Sequence, residues 1–227
     1  MNKLVSVVIT SKNEEKNIKN ILKSIELQSY NNIETILVDN YSSDRTKDIA
    51  NNFNVEIYEV GNERSEQRNY GLKKSNGEFV LYLDADMILT PGLINSLINK
   101  IHNSKIDGYY IKENILGKSL FNLTRKFERE FYEGSNIDAI RFFRKDCLDK
   151  LNGFDENITG QEDWDFSIRF SQNFNTGLLE DKINNEILFL NKDFYKNFVN
   201  ISKLKFESIL HNEIGFKLND HIKKKIY

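Results

Sequence analysis

Two acidic pairs in this sequence are of a type and spacing that could do chemistry. Asp84 and Asp86, one residue apart, follow directly on the apolar run Phe79-Val80-Leu81-Tyr82-Leu83. Burying either acid unpaired is costly, so stability alone gives no reason for them there. Two carboxylates at that spacing can aim oxygens at one hard cation. Mg²⁺ or Mn²⁺ takes such oxygens and bridges protein acids to phosphates. The second pair is Glu162-Asp163. An ionised carboxylate within reach of a hydroxyl can remove its proton during attack, an effect typically worth ~10²–10⁴-fold. Both pairs also have bland readings. The first is a surface turn in a chain with 34 acidic residues. The second is the ordinary preference for acids near a helix N-terminus.

The elements around the pairs decide between these readings. The apolar run reads as a strand buried on both faces, as in a parallel sheet covered by helices. The carboxyl end of such a strand is where open α/β sheets bind ligands. Thr90 reads as the N-cap of the next helix and Pro91, the only proline, as its first residue. Upstream, residues 4–9 read as a strand. Ser11 to Glu14 fit a capping box that opens a helix from near 13 to about 29, with Ile18, Ile21, Leu22 and Ile25 as its apolar stripe. A strand at 33–38 ends in Asp39-Asn40, and Ser42-Ser43-Asp44 cap a helix to about 53. A strand at 55–60 and a helix at 65–75, closed by Asn76-Gly77, complete the run.

Strand and helix thus alternate four times, which predicts a doubly wound, largely parallel sheet. Further on come a strand at 108–112, a charged helix with the stripe Leu120, Leu123, Phe127 and Phe131, and a strand at 139–143. Thr159 to Glu162 fit a second capping box, opening a helix over 161–173. Strands at 176–179 and 187–190 and a helix at 194–209 follow. Residues 215–227 form a basic, mildly amphipathic tail. One domain over 1–227 is expected. Its nucleotide-binding half is 1–103, its acceptor and catalytic half is 104–214, and the tail is 215–227.

Composition removes several classes. A net charge of −2 gives no basic field for nucleic acid. A single cysteine, Cys147, excludes an intramolecular disulfide and a Cys-rich zinc site, and reads as a small buried apolar residue. The apolar N-terminal run is too short for a secretory signal, and no stretch approaches the ~20 apolar residues of a membrane span. A cytoplasmic protein is expected. The tail, with Lys217 and Lys223 to Lys225 among Phe216, Leu218, Ile222 and Ile226, could rest on the inner face of an anionic membrane. No Gly-x-Gly-x-x-Gly follows the first strand and no Gly-x-x-x-x-Gly-Lys occurs, which disfavours a nicotinamide or flavin site and a phosphate loop.

The series Val7-Val8-Ile9-Thr10 with Glu14, Val38-Asp39-Asn40 with Ser43-Asp44, Gln67-Arg68-Asn69-Tyr70-Gly71, Asp84-Ala85-Asp86 and Glu162-Asp163-Trp164-Asp165 resembles family 2 glycosyltransferases. The match in order and spacing covers roughly residues 4 to 170. The resemblance implies a GT-A (Rossmann-like) fold, with a mixed, mostly parallel central sheet flanked by helices. It also implies metal-dependent, inverting transfer of a sugar from a nucleotide-sugar donor to a carbohydrate or lipid-linked acceptor.

The same resemblance assigns roles. Asp39 would accept the imide N–H of uracil or two N–H groups of guanine. Thr10 would meet the nucleoside and Arg68 the base or diphosphate. Asp84 would reach the ribose or the metal's water, Asp86 would ligate Mg²⁺ or Mn²⁺, and Asp163 would be the base. Glu162 would cap its helix or hold an acceptor hydroxyl, and Trp164 would stack on a sugar or sit in the core. His211, in a looser histidine–glutamate match, would be a third ligand or a diphosphate contact. The competing reading is a non-catalytic nucleotide-sugar binder, which would have no need of Asp163. An acid-x-acid phosphatase fits less well, because Met87-Ile88 follow the acids. So does a nucleotidyltransferase, because no Gly-rich, Arg-bearing loop follows the first strand.

Overall fold

The structure is a computed structural model that describes residues 3–116, 120–129, 131, 134 and 139–186. They belong to one compact unit, Met1–Ile187. The strand expected at 187–190, the helix at 194–209, His211 and the tail at 215–227 lie outside the described residues.

The elements in chain order are β1 (Val5–Ser11), α1 (Ile18–Glu26), β2 (Ile33–Asp39), α2 (Thr46–Ala50), β3 (Glu56–Glu59), α3 (Arg64–Lys74), β4 (Phe79–Asp84) and β5 (Met87–Leu89). Then come α4 (Leu93–His102), β6 (Gly108–Leu116), α5 (Leu120–Arg129), β7 (Ile140–Arg144), α6 (Cys147–Leu151), α7 (Glu162–Asn173) and β8 (Thr176–Glu186). The strands form one sheet in the order β3-β2-β1-β4-β7-β6-β8-β5. β1 pairs in parallel with β2 and β4, and β2 with β3. β7 then runs antiparallel to both β4 and β6. The sheet is therefore mixed and mostly parallel, as expected.

The period of two along each strand sorts side chains into two core layers. On β4, Phe79, Leu81 and Leu83 join Val5, Val7 and Ile9 of β1 beneath α1 and α4. Val80 and Tyr82 face the other way, into an aromatic layer with Phe143, Phe154, Phe166 and Phe170. Helix α3 belongs to that second side and has almost no apolar stripe. Its buried residues are Ser65, Gln67, Arg68, Gly71 and Leu72. A polar helix face survives burial only when its groups are bonded. Gln67 Nε2 duly donates to the carbonyls of Ser11 (3.0 Å) and Val38 (2.7 Å). Gly71 lets the helix lie flush on the sheet. A Cβ there would come within 2.3 Å of Val8 Cγ1.

Several helix starts differ from expectation. Ser11 does not cap α1. It is the last residue of β1, paired with Asp39, and its hydroxyl donates to that carboxylate at 2.5 Å. The helix begins at Ile18, and the Glu14 carboxylate instead accepts from Asn17 Nδ2 at 2.8 Å. The second expected box also fails, because α7 starts at Glu162 itself and that carboxylate bonds elsewhere. Between the acids and α4 the chain inserts β5, whose main chain pairs with β8, so the helix starts at Leu93 rather than Pro91. Cys147 is buried, and burial and Asp146 push its thiol up to about 12, far from any reactive state. The α5 stripe faces outward, with Leu120, Leu123, Phe127 and Phe131 between 53% and 81% exposed. Among the described residues no helix is long and apolar enough to cross a membrane.

Candidate active site

The three central parallel strands end level with one another. Thr10 is in register with Asp84, and Ser11 with Asp39. Asp84 follows Tyr82 by two and so shares its face, under α3 and α7. There Arg68, with 0% side-chain exposure, joins two elements. Its Nη2 donates to Asp84 Oδ1 and its Nη1 to Glu162 Oε1, each at 3.0 Å. The guanidinium lies 5.0 Å from the Tyr82 ring centroid and 5.2 Å from that of Phe154, close enough for cation–π attraction to both. Arg141 of β7 approaches the other oxygen of Asp84, with Nη2 at 3.5 Å from Oδ2. Its Nε donates to Glu113 Oε1 at 2.7 Å, and Arg129 reaches Glu113 Oε2 at 3.1 Å.

The result is an alternating chain of charges, Glu162–Arg68–Asp84–Arg141–Glu113–Arg129. Isolated, each charge would be expensive to bury; alternation and hydrogen bonds offset that cost. Burial works against the carboxylate form of Asp84, but Arg68 and Arg141 overcome it and hold its pKa far below the usual range. Burial likewise opposes Glu113, and Arg129 with Arg141 draw it down to about 2. Both arginines stay charged. Burial disfavours them, yet Asp84 above all for Arg68, and Glu113 then Asp84 for Arg141, more than compensate. Asp163 is among the charges that support both arginines, which puts it within electrostatic reach of the Asp84 cluster.

Asp86 is the opposite case. Its carboxylate makes no hydrogen bond or ion pair among the described residues. Burial, then the charges of Asp84, Glu14 and Glu113, push it up to about 7. Thr10, Ser11, Glu14, Gln67, Asp84 and Asp86, with Lys12 and Arg64, line a common cleft of about 260 Å³. A partly buried acid beside Asp84 and Glu14, whose charge Arg141 offsets in part, could serve as a ligand for a divalent ion. Among the described residues no three His, Cys, Asp or Glu side chains converge on a metal position.

Other expected residues fall differently. Asp39 is 0% exposed, with its oxygens taken by Ser11 Oγ (2.5 Å), Ser42 N–H and Ser42 Oγ (both 2.6 Å). It presents Ser11 and Ser42 at the strand ends rather than a bare carboxylate. Arg68 is sealed beneath the cleft and cannot touch a base or diphosphate there, contrary to expectation. Glu162 is 3% exposed and engaged by Arg68 and, at 3.5 Å, by Arg64, so no acceptor hydroxyl reaches it without displacing them. Asp163 and Trp164, on the first turn of α7, are partly exposed. A larger open groove of about 1080 Å³ lies between α3, α6 and α7. It is lined by neither Asp86 nor Asp163, and its Arg169 is consumed by Asp165 and two backbone carbonyls.

Sequence reading missed Arg141, Glu113, Gln67 and Ser11 as parts of this site. A signal existed for two of them. Arg141 interrupts the apolar run at 139–143, and α3 lacks the stripe that would let it pack as an ordinary amphipathic helix.

An acid-tipped central strand between a parallel half (β1, β2, β3) and a mixed half entered through the antiparallel β7 defines a GT-A-type architecture. Solved structures agree. The Staphylococcus aureus TarS residue 1–349 structure in complex with UDP-GlcNAc matches with a TM-score of 0.70 at 21% identity, covering 92% of this chain and 67% of that one. The Pyrobaculum calidifontis mannosyltransferase PcManGT, in complex with GDP-Man and Mn²⁺, matches at 0.66 with 17% identity, covering 86% and 60%. The chain belongs to glycosyl transferase family 2, whose family model matches residues 6–151. Among curated relatives it is similar to the GalNAc(5)-diNAcBac-PP-undecaprenol beta-1,3-glucosyltransferase of Campylobacter jejuni, 28% identical over 88% of this chain. It spans 60% of that relative's length.

Proposed function

We propose that this glycosyltransferase moves a sugar from a UDP- or GDP-sugar to a hydroxyl with inversion, using a divalent cation at Asp86. The observation that carries the reading is Asp86 itself: an unbonded acid at a strand end, in a field of like charge, in the cleft shared with Thr10 and Asp84. Mg²⁺ or Mn²⁺ bound there would offset the charge that grows on the departing nucleoside diphosphate. The protein's own groups do the rest. Thr10 and Ser11, with Asp39 behind them, form the nucleoside side of the cleft. Asp84, clamped by two guanidinium groups, is a fixed acceptor for a ribose hydroxyl or a metal-bound water. Asp163 takes the acceptor's proton as its oxygen attacks from the face opposite the leaving group, and that single displacement inverts the anomeric centre. Trp164 beside it would pack on the acceptor. The nucleotide-sugar complexes of the structural neighbours, UDP-GlcNAc in TarS and GDP-Man in PcManGT, support the donor class.

A thermal-shift panel tests this. A UDP- or GDP-sugar at 100-fold its Kd should stabilise the chain by about 2.7 kcal/mol. That is roughly 5–10 °C in a domain of this size, and it should need Mg²⁺ or Mn²⁺. A panel with no cation-dependent shift removes the donor assignment.

The acceptor is read as lipid-linked rather than a free sugar because α5 offers a lipid-facing side. Leu120, Leu123 and Phe127 stand out from it beside the exposed Lys126, an apolar face with a cation at its edge. The basic residues at 215–227 are expected to add to the contact. The wild type should co-sediment with phosphatidylglycerol vesicles, and Phe127→Glu should do so at least several-fold less. Failure of the wild type to sediment ends the lipid reading.

A further inference from the structure

We infer that Arg68 is a positioning residue that fixes the first turn of α7, and with it Asp163, against the acid-tipped end of β4. The inference rests on the glycosyl-transfer reading for its catalytic consequence, but the tie itself is a matter of geometry. Arg68 bonds both halves of the site. One arm of its fork holds Asp84 and the other Glu162, the residue preceding Asp163.

Three features make it a strut rather than a loose ion pair. Its side chain has no exposure, so water does not compete for either bond. Tyr82 and Phe154, themselves in edge-to-face contact, both pack against the guanidinium and limit its movement. Its helix is pinned in turn, through Gln67, to the ends of β1 and β2. Arginine suits the task because its donors are rigidly splayed; a lysine is a point charge that would serve one carboxylate at a time. The body of α7 has other anchors. Phe166 and Phe170 sit in the aromatic layer, and Ser167 Oγ accepts from the N–H of Ile140. These hold the helix from its second turn onward. Its first turn makes no side-chain cap bond, and the Glu162 carboxylate is its described tie to the strand end.

A slip of one ångström between reacting groups can cost on the order of 10²-fold in rate. The variants Glu162→Gln, Arg68→Lys and their combination test the strut. Glu162→Gln is expected to bind UDP with Mn²⁺ within about threefold of wild type while kcat falls at least tenfold. The double variant should fall within about threefold of Arg68→Lys alone, because residues acting through one bond are non-additive. Single effects that multiply would overturn the inference, as would a Glu162→Gln protein that loses melting temperature and donor affinity together but keeps kcat. Hydrogen exchange separates the tie from the function. In both single variants the amides of residues 163–166 should exchange faster than those of 168–173 relative to wild type, whether or not the protein turns over a sugar. Unchanged exchange there means no strut exists. Faster exchange in a protein that binds no donor keeps the strut and rejects only the glycosyl-transfer reading.

Discussion

Asp163→Asn is expected to lower kcat by roughly 10²–10⁴-fold, the usual worth of a positioned general base. Asparagine matches the shape of the acid but cannot accept a proton. The Asp163 carboxylate makes no described hydrogen bond, so its neighbours lose nothing they were bonded to. The loss of an acid at the N-terminus of α7 costs about 0.3–1 kcal/mol, too little to unfold the domain. Donor affinity should survive, because the donor side of the cleft is built from β1, β4 and α3. Steady-state turnover, with UDP affinity measured by calorimetry on the same preparation, decides the matter. Retained turnover places the base elsewhere; lost affinity places Asp163 on the donor.

The second large effect is expected at Asp86. Asp86→Ala should abolish the Mn²⁺-dependent part of UDP binding. Its stability should move the other way. Burial first, and then Asp84, Glu14 and Glu113, make the ionised carboxylate unwelcome in the metal-free fold. Removing it relieves that crowding, so the metal-free variant should melt no lower than the parent. Loss of function with equal or greater stability is the signature of a group kept for binding rather than for folding. UDP titrations with and without Mn²⁺, beside a melting curve, test both halves. Unchanged cation dependence removes the metal assignment, and a lower melting point removes the strain argument.

Much of this was legible before any coordinates. The apolar runs at β1, β2 and β4 are strands buried on both faces, and such runs announce themselves. Their acids at the carboxyl ends follow, since the chain must leave the sheet there. What stayed hidden is long-range. Arg68 reads as a solvated helix residue or a ligand contact because nothing local shows that Tyr82, Phe154 and Glu162 close over it. Asp39 looks like a bare ligand because its partners Ser11 and Ser42 look like cap residues. Both capping boxes were plausible by local pattern and both lost to bonds made across the fold. Strand β5 was invisible because three residues at a sheet edge carry no period.

Gly71 carries a consequence for how defects in this protein would present. It sits one turn along α3 from Arg68, and its missing side chain sets the gap between helix and sheet. A methyl group there would have to displace Val8, or lift the whole helix and draw the guanidinium back from acids it now meets at bonding distance. A substitution that touches no substrate would then mimic, in an assay, damage to the catalytic machinery.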